Sequence, residues 1–127
     1  MTLNEFIAQT ANRDDNIRLN EPFSSNDALV FLYASWSNSR AYLSLLLTLL
    51  SKTKFQDPVY LYDINLKSFN DFSKLFNVRS FGKGEIYMIK DMKVVDKIEV
   101  HPAANADKNM SRFINKYNHP GADSAAT

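Results

Sequence analysis

Eight residues in two short segments of this 127-residue chain have the chemistry of a binding site. They are Trp36, Ser37, Asn38, Ser39 and Arg40 in the first segment, and Gly82, Lys83 and Gly84 in the second. Hydroxyl and amide side chains cap the start of a helix, and that end of a helix favours a carboxylate, a phosphate or a peptide carbonyl. Tryptophan is common in binding hot spots, and glycines leave a loop backbone accessible. The alternative is that these residues only cap a helix, pack locally and connect two elements.

Other site chemistries find little support in the sequence. Cysteine is absent, which excludes disulfides, thiolate metal sites and thiol catalysis by this chain. The two histidines, His101 and His119, are far apart, and no further ligands group with them at a metal-binding spacing. Ser37 lacks a neighbouring histidine base and the glycines of a nucleophile elbow. We therefore expect no metal, no cofactor and no catalytic residue.

The composition, 45% hydrophobic and 23% charged, fits one ordinary globular domain. A net charge of +1 gives no electrostatic reason for a nucleic-acid partner. Between Lys83 and Lys97, lysines alternate with Glu85, Asp91 and Asp96, a pattern typical of a solvated surface. No apolar run is long enough to span a bilayer, and the first residues lack a signal-peptide pattern. We predict a cytoplasmic protein without nucleic-acid or membrane partners.

The pattern of apolar residues predicts eight elements around a central strand at 28–34, which should be buried on both faces. The chain opens with a helix that has Leu3, Phe6 and Ile7 on one face, followed by an edge strand at 17–19. After the central strand come a helix ending near 52, a strand at 58–64, and a helix capped by Ser68 and buried through Phe69, Phe72, Leu75 and Phe76. A hairpin of 85–90 and 93–100 and a helix at 107–117 complete the order. Strand–helix–strand steps predict a parallel core, to which the hairpin adds antiparallel strands. The domain spans 1–118, and 119–127 form a flexible tail.

The segment that ends the central strand resembles the thioredoxin family, whose motif reads Ala-x-Trp-Cys-Gly-Pro-Cys. Ala34 and Trp36 match this motif, whereas Ser37 and Arg40 replace the two cysteines. The family's cis-proline falls at about Gly84, and its buried acid falls near Phe31. The order of elements over roughly residues 1 to 117 fits the same family. The resemblance implies an α/β, thioredoxin-like three-layer sandwich, with a mixed central sheet and helices on both faces.

The resemblance also implies a loss of redox chemistry, because that chemistry needs a thiolate to attack a disulfide. The leading hypothesis is a non-catalytic domain that binds a protein or peptide near Trp36 and Gly84, as an adaptor, accessory or chaperone-like protein. One alternative is a thiol-free enzyme of the same fold that binds glutathione or a related ligand through Ser37. Another is a structural protein that forms a homodimer through the uncharged, leucine-rich helix 41–51.

Overall fold

A computed structural model describes Leu3, Ile7 and residues 16–36, 39–100 and 105–117. Its strands are β1 (Ile17–Leu19), β2 (Ala28–Tyr33), β3 (Val59–Asp63), β4 (Glu85–Lys90) and β5 (Lys93–Glu99), and its helices are α1 (Ser39–Thr53), α2 (Lys67–Phe76) and α3 (Ala106–Tyr117). The strands form one sheet in the order β1-β3-β2-β4-β5. The first three strands in this order are parallel, and β4 and β5 are antiparallel to their neighbours. The predicted parallel core and C-terminal hairpin are confirmed.

Strand β2 has no polar residue, and all six of its side chains are buried. On one face of the sheet, Leu29 and Phe31 pack in a core that includes Leu43, Leu46, Met110 and Phe113 from α1 and α3. On the other face, Val30 and Leu32 pack in a core that includes Tyr60, Tyr62, Phe69 and Phe72 from β3 and α2. A strand covered on both faces reads as a continuous apolar run, which is why its position was predictable. Helices therefore lie on both faces, as predicted.

The predicted opening helix and tail fall largely outside the described residues. Leu3 and Ile7 are helical and buried, and they belong to the same core as α1 and α3. Thr2 and Phe6 lie outside the described residues, as does the predicted tail at 119–127. None of the described helices is long and apolar enough to cross a membrane.

Helix α2 differs from its prediction at both ends. Ser68 lies inside the helix, and the N-cap is Leu66, which provides no side-chain hydrogen bond. The prediction that Leu75 is buried is also wrong, because this side chain is 56% exposed. The apolar face of α2 consists of Phe69, Phe72 and Phe76. Because these three aromatic rings form the side of the helix that packs in the core, Leu75 is left at the margin of that face.

Helix α1 exposes few apolar side chains. Its leucines are either buried or half-buried against the core, and they are Leu43, Leu45, Leu46, Leu47, Leu49 and Leu50. The exposed residues of the helix are Arg40, Ala41, Ser44, Thr48, Ser51 and Lys52. The homodimer through 41–51 stays a prediction, but no leucine of this helix is exposed to form its contact.

The turn between β4 and β5 has two residues in the left-handed region. Asp91 has φ 53° and Met92 has φ 61°, as a two-residue type I′ hairpin turn requires. The turn is attached to the start of β2, because the Asp91 N–H donates to Asp27 Oδ1 (2.8 Å) and the Met92 N–H donates to the Asn26 carbonyl (2.9 Å). A side chain at positive φ is strained, so Met92 is held there by these contacts and by strand pairing.

Replacing Met92 with glycine should relieve that strain. We expect Met92→Gly to raise the free energy of unfolding by about 1 kcal/mol, because the left-handed conformation costs a residue with a Cβ roughly that much. Urea denaturation measures the change. Met92→Ala is the matched control, since it removes the same exposed side chain but keeps the Cβ, and it should give no gain. If Met92→Gly and Met92→Ala are equally stable, the backbone at residue 92 is not strained.

Candidate functional site

Two bulky aromatic side chains stand at one edge of the sheet. Strand β4 is antiparallel to β2, with Phe31 opposite Ile86, so the end of β2 and the start of β4 lie side by side. Trp36 follows β2 and Phe81 precedes β4. Trp36 is 65% exposed and Phe81 is 64% exposed. The topology thus brings both aromatic residues to the same edge and leaves both in contact with solvent.

The segment from Ser80 to Gly84, called the 80–84 loop here, packs directly against the first turn of α1. Gly84 is buried and has φ +67°. A Cβ at this position would lie 2.7 Å from Cδ2 of Tyr42 and 3.3 Å from Cβ of Val100. Tyr42 belongs to the start of α1, so the two segments predicted to form a site are adjacent. The loop can approach this closely only because residue 84 has no side chain.

The predicted site residues have different environments. Arg40 and Lys83 are exposed, whereas Gly82 is half-buried. Ser39 is fully buried, and its Oγ accepts a hydrogen bond from the Ala34 N–H (3.2 Å). Its hydroxyl therefore lies in the interior and joins the end of β2 to the start of α1, rather than facing a ligand. The predictions on Ser37 and Asn38 fall outside the described residues.

Glu85 is a buried carboxylate that the sequence placed among solvated charges. Its exposure is 0%, so that interpretation is wrong for this residue. Glu85 Oε1 accepts a hydrogen bond from the Ser80 hydroxyl (2.9 Å), and Oε2 accepts one from the Phe81 N–H (2.6 Å). The physical reason is that β4 lies between β2 and β5 and is covered on both faces. The charge pattern gives no signal of this, since Asp91 also lies close to lysines in the sequence and is exposed.

Further hydrogen bonds fix the chain on its way from α2 to the 80–84 loop. The Ser73 hydroxyl donates to the Val78 carbonyl, and the Tyr87 hydroxyl donates to the Arg79 carbonyl (3.2 Å). Burial raises the pKa of Tyr87. The Gly82 N–H then donates to Ser80 Oγ (3.3 Å). Hydrogen bonds from side chains thus fix this irregular segment, which has no neighbouring strand to pair with.

Exposed aromatic side chains and positive charges lie at this end of β2 and β4. Trp36 and Phe81 provide apolar area, and Arg40 and Lys83 provide positive charge near it. Within 16–36, 39–100 and 105–117, no group of three or more His, Asp or Glu side chains is placed to hold a metal ion. We call Trp36, Phe81 and the 80–84 loop the aromatic edge.

Comparison with known proteins establishes the fold. No family model matches the chain, and no curated protein matches its sequence. A mutant thioredoxin from Halobacterium salinarum is 13% identical, with a TM-score of 0.57 over 85% of this chain and 96% of that one. Thioredoxin-2 of the malaria parasite is 12% identical, with a TM-score of 0.56 over 79% and 93% of the two chains. The germline-specific thioredoxin Deadhead of Drosophila melanogaster is 16% identical, with a TM-score of 0.54 over 72% and 81%.

These similarities confirm that the chain has the thioredoxin fold, as its resemblance to that family implied. Identities this low establish the fold alone. The chain has no cysteine, which argues against the redox activity of thioredoxins.

A side chain at residue 84 should separate the 80–84 loop from α1. We expect Gly84→Ala to lower the free energy of unfolding by about 2 kcal/mol, because its Cβ would overlap the Tyr42 ring in a packed site. Urea denaturation measures the loss. Gly82→Ala is the matched control, since Gly82 also has positive φ (72°). In a Tyr42→Leu background the Gly84→Ala change should cost less, and a cost unaffected by Tyr42→Leu would count against the contact.

Proposed function

We propose that this chain is a non-catalytic thioredoxin-fold domain whose aromatic edge binds an extended segment of another protein. Its role would be that of an adaptor, an accessory subunit or a chaperone-like protein. The observation that carries the proposal is the exposure of Trp36 and Phe81, at 65% and 64%, at the same edge of the sheet. Large aromatic side chains are mostly withdrawn from water, and a patch of them at a surface often marks an interaction site.

The chemistry of the residues present argues against the redox reaction of thioredoxins. A thioredoxin reaction starts from a thiolate, and this chain has no cysteine to form one. The hydroxyl of Ser39, at the first residue of α1, is buried and accepts a backbone hydrogen bond. A hydroxyl in that state cannot reach a substrate in solvent. Binding therefore accounts for the exposed residues of this edge better than catalysis does.

The exposed aromatic residues and the charge of the aromatic edge favour a peptide with an apolar and an acidic residue. Burying apolar area contributes roughly 25 cal/mol per Å², and Trp36 and Phe81 are large apolar side chains exposed here. Arg40 and Lys83 are exposed beside them and would attract a carboxylate. Opposite charges at the rim of an interface select the partner and its orientation more than they add affinity.

Selection from a phage-displayed library of unstructured peptides tests the proposal. We expect the immobilised protein to enrich peptides that pair apolar with acidic residues. Titration calorimetry with an enriched peptide should show that Trp36→Ala and Phe81→Ala each weaken binding by at least about tenfold, as hot-spot aromatic residues do.

Leu75→Ala is the matched control for that titration, because Leu75 is similarly exposed (56%) but lies on α2. It should leave the affinity unchanged. No enrichment of peptides would contradict the proposal, as would an enriched peptide whose affinity is the same for the wild type and both edge variants.

A further inference from the structure

We infer that Glu85 is the positioning residue of the aromatic edge: its buried carboxylate fixes the 80–84 loop in the conformation that presents Phe81. Two of the five residues of this loop are glycines, Gly82 and Gly84. A glycine constrains the backbone least of all residues. The order of this loop must therefore come from contacts made elsewhere in it.

The contacts of Glu85 meet this requirement. Its two oxygens accept from two successive residues, the Ser80 hydroxyl at 2.9 Å and the Phe81 N–H at 2.6 Å. Ser80 Oγ in turn accepts from the Gly82 N–H at 3.3 Å. One side chain thus determines where Ser80 and Phe81 lie and, through Ser80, where Gly82 lies. The other end of the loop is held by the contact of Gly84 with Tyr42.

The burial of Glu85 is explained by the hydrogen bonds that its carboxylate accepts from the 80–84 loop. A carboxylate withdrawn from water is unfavourable unless hydrogen bonds replace its hydration. The next four residues of β4, Ile86, Tyr87, Met88 and Ile89, are also buried, so an apolar residue would suit the strand at position 85. The identified partners of the carboxylate are a hydroxyl and a backbone amide of the 80–84 loop. These donors explain why an acid stands at the start of an apolar strand.

Fixing the loop determines how Phe81 is displayed. With its N–H bonded to Glu85, the backbone of Phe81 is anchored while its ring remains 64% exposed. A preformed loop loses less conformational entropy on binding than a flexible one. The consequence for affinity rests on the proposed function, whereas the ordering of the loop does not.

Amide hydrogen exchange of the full chain, followed by NMR, tests the positioning role directly. We expect the Phe81 amide to exchange at least about tenfold faster in Glu85→Ala than in the wild type, because a hydrogen bond to a charged acceptor is lost. Glu85→Gln keeps one acceptor oxygen and should give an intermediate rate for Phe81. Ser80→Ala should speed exchange at Gly82 while leaving Phe81 protected, since it removes only the bridging hydroxyl.

Glu99→Gln is the matched control, because Glu99 lies opposite Glu85 on β5 but is exposed. It should leave exchange at Phe81 and Gly82 unchanged. If Glu85→Ala does not fold, Glu85→Gln and Ser80→Ala decide the question between them. Unchanged Phe81 exchange in folded Glu85 variants overturns the inference, whatever the binding result.

Binding of the enriched peptide separates this inference from the proposed function. We expect Glu85→Gln to weaken that binding severalfold, with slower association as the loop reorders. If no peptide is enriched, the proposed function fails, but faster Phe81 exchange still supports the ordering of the loop. If exchange at Phe81 rises while affinity and association rate stay at wild-type values, the positioning role in binding is overturned.

Discussion

The burial of β2 and β3 on both faces is the constraint from which the rest of this structure follows. Every side chain of Ala28–Tyr33 and Val59–Asp63 is buried, so helices must cover the sheet on both sides. The ends of these strands are where the chain leaves the covered region and reaches the surface. At such an end the irregular backbone has no ladder partners, and its polar groups must find others. The aromatic edge is the place where both conditions meet.

The elements of the fold were predictable because the local pattern of apolar residues in each one depends on which of its faces are buried. The unbroken apolar run of β2 reports burial on two faces, and the spacing of Phe69 and Phe72 reports one buried helix face. The errors in α2 arise where a local pattern is ambiguous. Ser68 is a good capping residue, but the chain enters the helix one residue before it. Leu75 has the right spacing to be buried, but Phe69, Phe72 and Phe76 already form the side of the helix that packs in the core.

The site was less predictable, because it depends on contacts between segments that are distant in sequence. Trp36 was named from its motif, but whether it packed locally or faced solvent depended on what surrounds the end of β2. Phe81 was not among the candidates, although one bulky aromatic residue next to Gly82 in an otherwise polar loop was an available signal. The burial of Glu85 was not predictable, because it depends on the strands that flank β4. The sequence of residues 83–97 does not show which strands those are.

The same dependence on distant contacts explains how a loop with two glycines can present a defined surface. Two glycines at positive φ give the 80–84 loop many accessible conformations in the unfolded chain. Its order in the folded state is supplied by the Glu85 carboxylate, the Tyr87 hydroxyl that holds Arg79, and the Tyr42 ring beside Gly84. These groups lie on β4 and α1, two elements of the core, so the loop is tied to the core at several points. An aromatic edge ordered in this way depends on a carboxylate, a tyrosine hydroxyl and a close backbone approach, and it requires no cysteine.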